Sequence, residues 1–178
     1  MKAPLLRMKL REVKANRGLP QDSGTFSRNL DSALPGPQVR LLYDSLRRPE
    51  AAILAQLRTG RSRLNTYLHK IQAAESDQCQ CGKSSETVKH FLFQCKQWAE
   101  HREEMKKQTT TRWGDLSFYL GGKSNQKIGD QPIDPHPWKP SLSAVRATIR
   151  FANATGRFAP TPPNQSSMQQ LGNASDTH

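Results

Sequence analysis

The sequence predicts a small, mostly α-helical domain with a disordered C-terminal tail. Apolar residues recur at spacings of three and four over several segments, which is the period of a helix that buries one face. No segment alternates apolar and polar residues over any length, as a half-buried strand does. Residues 159–178 are mostly polar and Pro-rich, so we expect them to be disordered.

The first 37 residues predict a short helix and a linker. Leu6, Leu10 and Val13 lie at helical spacing among basic residues. Residues 18–37 hold three Pro and three Gly among polar residues, a composition typical of a loop. We therefore place the folded domain at residues 38–158.

Three helices are expected before the cysteines, the first over residues 38–48. Pro49 suits the first turn of the second helix, because its missing N–H would have no intrahelical partner there. Gly60 favours the left-handed conformation that ends this helix. A third short helix is expected over residues 64–71. Its inward side chains are expected to be Leu64, Tyr67, Leu68 and Ile71.

The segment after the cysteines predicts two further helices, over residues 96–107 and 141–155, separated by a Pro-rich loop at 123–140. Ser141 can cap the second of them and Gly156 can end it. Its inward side chains are expected to be Leu142, Val145, Ile149 and Ala152.

The composition is strongly basic. The chain has 178 residues, with 27 Lys and Arg against 15 Asp and Glu, a formal net charge of +12. A basic surface attracts polyanions whatever their sequence. No run approaches the roughly 18 apolar residues of a membrane span, and the N-terminus lacks the apolar centre of a signal peptide. We expect an intracellular protein, nuclear or cytoplasmic, with no membrane partner.

All three cysteines lie close together around one histidine, in the pattern Cys79-x-Cys81-x8-His90-x4-Cys95. Thiolate and imidazole are ligands that zinc prefers, and four of them close a tetrahedral structural site. Gly82 follows Cys81 directly and lets the backbone turn sharply there. The sequence therefore predicts a zinc knuckle at residues 79–95 that holds a structural Zn²⁺.

The spacing of His90 and Cys95 constrains the backbone. At about 100° per residue, the two would point about 140° apart on a straight helix. We therefore predict a break near residues 93–95, with Cys95 at the helix end. Ser84 or Ser85 would cap the helix, and its aromatic residues would pack on Trp98 and the preceding helices.

Other interpretations of the Cys/His cluster remain open. The spacing is not that of the common zinc finger, so the residues could be three unpaired buried thiols and a core histidine. A catalytic Cys–His pair would need a third orienting group. His101 could replace one ligand. Neither converging carboxylates nor a phosphate-binding loop is found, so we expect no enzyme and no small-molecule substrate.

From Arg40 to about Phe158 the sequence resembles the C-terminal region of fungal non-LTR (LINE-type) retrotransposon polyproteins. The stretches that carry the resemblance are LYDSLRRPEAAILAQLRTGRSRLNTYLHKI, ESDQCQCGKSSETVKHFLFQC, LSFYLGG and WKPSLSAVRATIRFANATGRF. The family's knuckle motif is Cys-x(1–3)-Cys-x(7–8)-His-x(4)-Cys. Cys79, Cys81, His90 and Cys95 match it position by position.

The resemblance implies a zinc-stabilised module that binds RNA or single-stranded DNA. The polymerase aspartate motif, the endonuclease and the ribonuclease H carboxylates of such elements are absent, so a non-catalytic fragment or relic of a reverse transcriptase polyprotein is implied. Tyr67 or Trp98 would stack on a base. The basic residues expected to contact phosphate are Arg58, Arg61, Arg63, Lys70, Lys83 and Lys89.

The alternative is a structural role, in which the domain braces the reverse transcriptase and ribonuclease H domains of a parent polyprotein and has no activity alone. In that case helices 50–58 and 141–155 would each show an exposed apolar stripe.

Overall fold

The computed structural model describes residues 24–108, 111–134 and 137–159. The expected helix near residues 5–16 and the expected disorder of 160–178 lie outside this range. About half of the described chain is helical, and its sheet is one small antiparallel hairpin, which confirms the mostly α part of the predicted fold class. The α-helices are α1 Thr25–Leu30, α2 Gln38–Asp44, α3 Arg48–Thr59, α4 Asn65–Lys70, α5 Glu103–Lys106, α6 Leu116–Tyr119 and α7 Leu142–Ala154.

Helix α3 begins and ends as its sequence predicts. Pro49 lies in the first turn, and the Glu50 carboxylate accepts the Arg47 backbone N–H at 2.8 Å, which satisfies a donor that the helix leaves free. Gly60 follows the last turn with φ +69°, in the left-handed region.

Helix α7 also forms where expected, and it lies at the centre of the domain. The Ser141 hydroxyl accepts the Ala144 N–H at 3.4 Å at the start of the helix. Its inward face packs against α3, α5 and α6. Burying a large apolar side chain contributes about 1.5–3 kcal/mol, so this face stabilises the fold. The fully buried core includes Leu42, Leu54, Leu57, Phe91, Leu92, Tyr119, Val145 and Ile149.

The loop prediction for residues 18–37 is wrong where α1 forms. This helix packs against α3, and Leu30 is buried in the common core. The domain therefore begins before residue 38. The glycine and proline residues on both sides of residues 25–30 are typical of a loop. The helix forms because residues far along the chain pack against it.

Three smaller expectations also change. Ile71 is 51% exposed, because α4 ends at Lys70 and Ile71 already lies in its C-cap. The predicted loop at 123–140 contains a hairpin, β1 Lys127–Ile128 paired with β2 Gln131–Pro132. The helix expected over 96–107 forms as two 3₁₀ turns, Lys96–Trp98 and Glu100–Arg102, followed by α5.

No helix in the described ranges combines the length and the apolar character that crossing a bilayer requires.

Candidate metal centre

The first two cysteines lie on one tight turn. The Gly82 N–H donates to the Cys79 carbonyl oxygen at 2.9 Å, and the Cys79 N–H donates to the Ser84 carbonyl oxygen at 2.9 Å. Gly82 has φ +68°, a conformation that only glycine adopts at little cost. This confirms that the chain reverses directly after Cys81, as the predicted site requires.

The other two donors are brought together by a helix distortion. A π-helical segment spans His90–Gln94, and the Cys95 N–H donates to the His90 carbonyl oxygen, five residues earlier, at 2.8 Å. The wider turn reduces the angle between the two side chains. Cys95 itself is extended and ends the helix, so the predicted break is confirmed.

The cap of this helix is not the one predicted. The Thr87 hydroxyl accepts the His90 N–H at 3.1 Å, so Thr87 takes the role expected of Ser84 or Ser85.

The four donor atoms lie within 4.8 Å of one another. The Sγ atoms of Cys79 and Cys95 are 3.6 Å apart, and Cys81 Sγ lies 3.3 Å from His90 Nε2. A tetrahedral ion with metal–sulfur bonds of about 2.3 Å would hold two thiolates about 3.8 Å apart. All three cysteines are free of disulfides. The residues Cys79, Cys81, His90 and Cys95 thus form a cluster that could hold a metal ion.

Ser84 orients the histidine. Its Oγ lies 2.8 Å from His90 Nδ1 and donates to the Ser85 carbonyl oxygen at 3.3 Å. Because the hydroxyl hydrogen is used on that carbonyl, Oγ is left to accept the Nδ1–H. The Nε2 lone pair then faces the sulfurs, as a metal ligand requires. The role of Ser84 has no clear signal in the sequence, because serine before a helix is more often a cap.

The local electrostatics differ among the donors. Burial raises the pKa of the Cys79 thiol to about 12. The Lys83 backbone N–H lowers the pKa of Cys81, and burial lowers the pKa of His90, which favours its neutral, metal-binding form. Without a cation the cluster would hold Cys79 as a thiol, whereas a bound divalent ion would favour the thiolate.

Arg102 is a buried cation beside the cluster. Its Nη2 donates to the carbonyl oxygens of Phe91, at 3.3 Å, and of Cys95. It forms no ion pair with any residue in the described ranges. Burial lowers the pKa of Arg102, and the neighbouring Cys95 acts in the opposite direction. Arg102 therefore ties both ends of the π-helical distortion and places a positive charge next to a ligand.

A second arginine joins the knuckle to the helical core. Glu86 is buried and accepts the Asn65 N–H at 2.7 Å, at the start of α4. Arg157, which follows α7, donates to the same carboxylate at 2.7 and 3.0 Å. The aromatic ring of Phe91 packs on Phe151 of α7, with 5.0 Å between centroids. The knuckle therefore contacts α7 and the residue that follows it, and also the start of α4.

No family model, no curated protein and no solved structure matches this chain. The relation to retrotransposon polyproteins therefore stays a prediction.

The basic residues proposed to bind phosphate differ in exposure: four are exposed, Arg63 is half-buried and Arg58 is buried. Arg61, Lys70, Lys83 and Lys89 are exposed, and none of them forms an ion pair with another described residue. Arg63 is half-buried and donates to the Ala159 carbonyl oxygen.

The prediction is wrong for Arg58. Its side chain is 5% exposed. It donates from Nη2 to Asp31 Oδ2 and from Nη1 to the Leu120 carbonyl oxygen, each at 2.6 Å. It lies one residue after Leu57 and four after Leu54 on the buried face of α3, so it turns into the protein.

The two aromatic residues expected to stack on bases are both half-buried. Trp98 packs on Phe91 at 6.5 Å between centroids, so much of its ring is part of the core. Tyr67 lines a surface cleft beside Arg61 and Lys70. His101 is exposed and lies against Trp98, so it is no member of the donor cluster.

Proposed function

We propose that this chain is a non-catalytic, zinc-stabilised module that binds RNA or single-stranded DNA inside the cell, in the nucleus or cytoplasm. One observation carries the proposal: a set of four Cys/His donors shares a small domain with exposed cations that pair with no carboxylate of the described residues. The retrotransposon origin belongs to the same proposal and rests on the resemblance described above.

The donor set supports zinc. Three sulfurs and one imidazole fit its preference, and four protein donors leave no open position for a substrate, so the ion would be structural. Three thiolates around Zn²⁺ carry a net charge of about −1. Buried Arg102, which has no carboxylate partner among the described residues, would compensate this charge.

The charge distribution supports a polyanionic partner. Arg112 and Arg157 are bound by buried carboxylates and serve the fold, as Arg58 does. Within the described part of the chain no carboxylate pairs with the exposed Arg61, Lys70, Lys83 or Lys89. We infer that these four side chains neutralise phosphates.

The alternative, a brace for reverse transcriptase and ribonuclease H domains, is less well supported. It predicts an exposed apolar stripe on each of two helices. The exposed positions in the body of α7 are Ser143, Arg146, Arg150 and Asn153, which are all polar, followed by Ala154. On α3 the large apolar residues Ile53, Leu54 and Leu57 are buried.

The test uses the full zinc-loaded chain and a fluorescent 20-mer of single-stranded RNA, with DNA and duplex arms. We expect the logarithm of the affinity to fall with the logarithm of salt, with a slope of about −0.7 per phosphate neutralised, or about −3 for four contacts. Changing Arg61, Lys70, Lys83 and Lys89 to Gln should abolish most of this slope.

The matched control changes Lys106 and Lys107 to Gln, because these exposed lysines already pair with Glu103 and Glu104. This control should bind as the wild type does. Undetectable or salt-independent binding by the wild type would contradict the proposal.

A further inference from the structure

We propose that two surface clefts meeting at the Phe26 ring form a track for a single nucleic-acid strand, with bases stacked on Phe26 and Tyr67. This inference rests on the proposed function and adds the site and the mode of recognition.

The larger cleft has a volume of about 580 Å³ and lies between α1, the end of α3 and α4. This volume lies within the roughly 300–1,000 Å³ that is usual for small-ligand sites. Phe26 and Tyr67 provide aromatic surface, and Arg61 and Lys70 provide positive charge. No carboxylate is among the described residues that line it. Aromatic rings beside exposed cations are what a site for stacked bases and phosphates requires.

Phe26 is unusual among the aromatic residues because it is 39% exposed. Its ring lies against Gly60, so close that a Cβ added there would be 3.4 Å from the ring. One side of the ring is therefore supported by backbone, while the rest is open to the cleft. A base that covered the exposed part of the ring would remove apolar surface from water, which is favourable.

A second cleft of about 250 Å³ adjoins the first, because Phe26 lines both. Lys89, which directly precedes the π-helical segment, lines this second cleft. Asp115 lines it too, but its carboxylate is buried and paired with Arg112. Arg61 and Lys70 thus line one cleft and Lys89 lines the other, with Phe26 in both. A strand laid through both clefts would pass the Phe26 ring and meet a cation in each cleft.

Buried contacts hold the Phe26 helix in place. The Ser27 hydroxyl donates to the Arg58 carbonyl oxygen at 3.1 Å, and the Arg58 guanidinium pairs with Asp31 at the other end of α1. The cleft is therefore preformed by α1 and α3, which lowers the ordering cost of binding.

The experiment compares the full chain with Phe26→Leu, Tyr67→Leu and Phe26→Trp, using a single-stranded 12-mer, the same 12-mer with abasic sites, and a free mononucleotide. Leucine keeps apolar bulk but offers no stacking surface. We expect Phe26→Leu and Tyr67→Leu each to weaken binding of the intact 12-mer about 10-fold, without changing the salt slope. Phe26→Trp should keep wild-type affinity.

Binding of the abasic 12-mer should be equally weak for the wild type and Phe26→Leu, because no base is present to stack. A control variant, Leu41→Ala, removes another exposed apolar side chain, 69% exposed on α2, and should bind as the wild type does. Circular dichroism of each variant checks that the fold is retained.

If the wild type binds and both leucine variants bind equally well, the track is wrong while the proposed function stands. If the free mononucleotide binds as tightly as the 12-mer, the site takes a small ligand and the track is overturned. If the wild type binds no oligonucleotide, the proposed function itself fails.

Discussion

Arg58 and Asp31 form a buried ion pair, with 2.6 Å between Nη2 and Oδ2, across 27 residues of sequence. The Asp31 carboxylate also accepts the backbone N–H groups of Ala33 and Lys123. The pair therefore joins α1, α3 and the segment after α6. An arginine that the sequence suggests for phosphate binding instead holds the N-terminal helix on the core.

Removing one partner of this pair should strongly destabilise the domain. In Arg58→Met the Asp31 charge stays buried without its cation, so we expect the free energy of unfolding to fall by about 3–5 kcal/mol. Urea denaturation of the zinc-loaded chain measures this. Asp44→Asn, which removes an exposed ion pair with Arg40, is the control and should unfold as the wild type does. An unchanged Arg58→Met midpoint would show that the pair does not hold α1.

Two glycine substitutions should differ in cost. Gly82 has φ +68° and a Cβ there would meet no atom, so Gly82→Ala should cost only the backbone strain, about 1–2 kcal/mol. At Gly121, with φ +66°, an added Cβ would lie 2.9 Å from Leu42 and Val145 in the core. Gly121→Ala should therefore lower the free energy of unfolding clearly more, as measured by urea denaturation. The reverse order would contradict the open surroundings of Gly82.

Ser84→Ala should weaken metal binding without unfolding the helical core. Without the hydroxyl, the His90 ring is no longer held in the form that carries its proton on Nδ1. Loss of such an orienting hydrogen bond lowers metal affinity about 10–100-fold. Competition with a chromophoric zinc chelator measures the affinity. Ser84→Thr, which keeps the hydroxyl, should restore it, and Ser143→Ala on α7 serves as a distant control. Equal zinc affinity in Ser84→Ala and the wild type would rule out the orienting role.

Arg102→Met should destabilise the zinc-loaded chain more than the metal-free chain. Its charge opposes the net negative charge of a thiolate-rich zinc centre, and burial of an unpaired cation is unfavourable without that centre. Unfolding is measured with zinc and with excess chelator. If the substitution lowers stability equally in both states, Arg102 contributes only its hydrogen bonds to the Phe91 and Cys95 carbonyls.

Short-range signals explain which features the sequence predicts. Pro49 and Gly60 bracket α3, and Ser141 and Gly156 bracket α7, so these helices follow from residues within them or next to them. The four metal donors lie within 17 residues, and the 140° argument required a distortion between His90 and Cys95. The π-helical turn supplies that distortion.

The remaining features depend on contacts between distant parts of the chain. Helix α1 is held by the contacts of Asp31 with Arg58 and with the Lys123 backbone. The Phe26 ring lies against Gly60, which follows α3. The role of Ser84 depends on where the His90 ring turns. In the sequence, Arg102 has the pattern of a solvated basic residue. Its burial depends on the contacts that it makes with Phe91 and Cys95 of the knuckle. None of these relationships has a local pattern that sequence reasoning can use.

Zinc should also be needed for the knuckle to fold. Metal binding is coupled to folding in comparable peptides, with apparent free energies of about 10–16 kcal/mol at neutral pH. Because thiolates and neutral imidazole bind the ion, lower pH should weaken binding as protons compete for the donors. A chelator titration at pH 7.5 and at pH 5.5 measures this, and a pH-independent affinity would contradict coordination by thiolates.

The most direct test of the central claim is the metal content of the purified chain, measured together with its helical circular dichroism. The account predicts one zinc per chain, bound by three sulfurs at about 2.3 Å and one nitrogen by X-ray absorption. Cys81→Ser should lose both the zinc and part of the helical signal. A wild-type chain that folds fully without metal, or a Cys81→Ser variant that keeps its zinc, would contradict the claim.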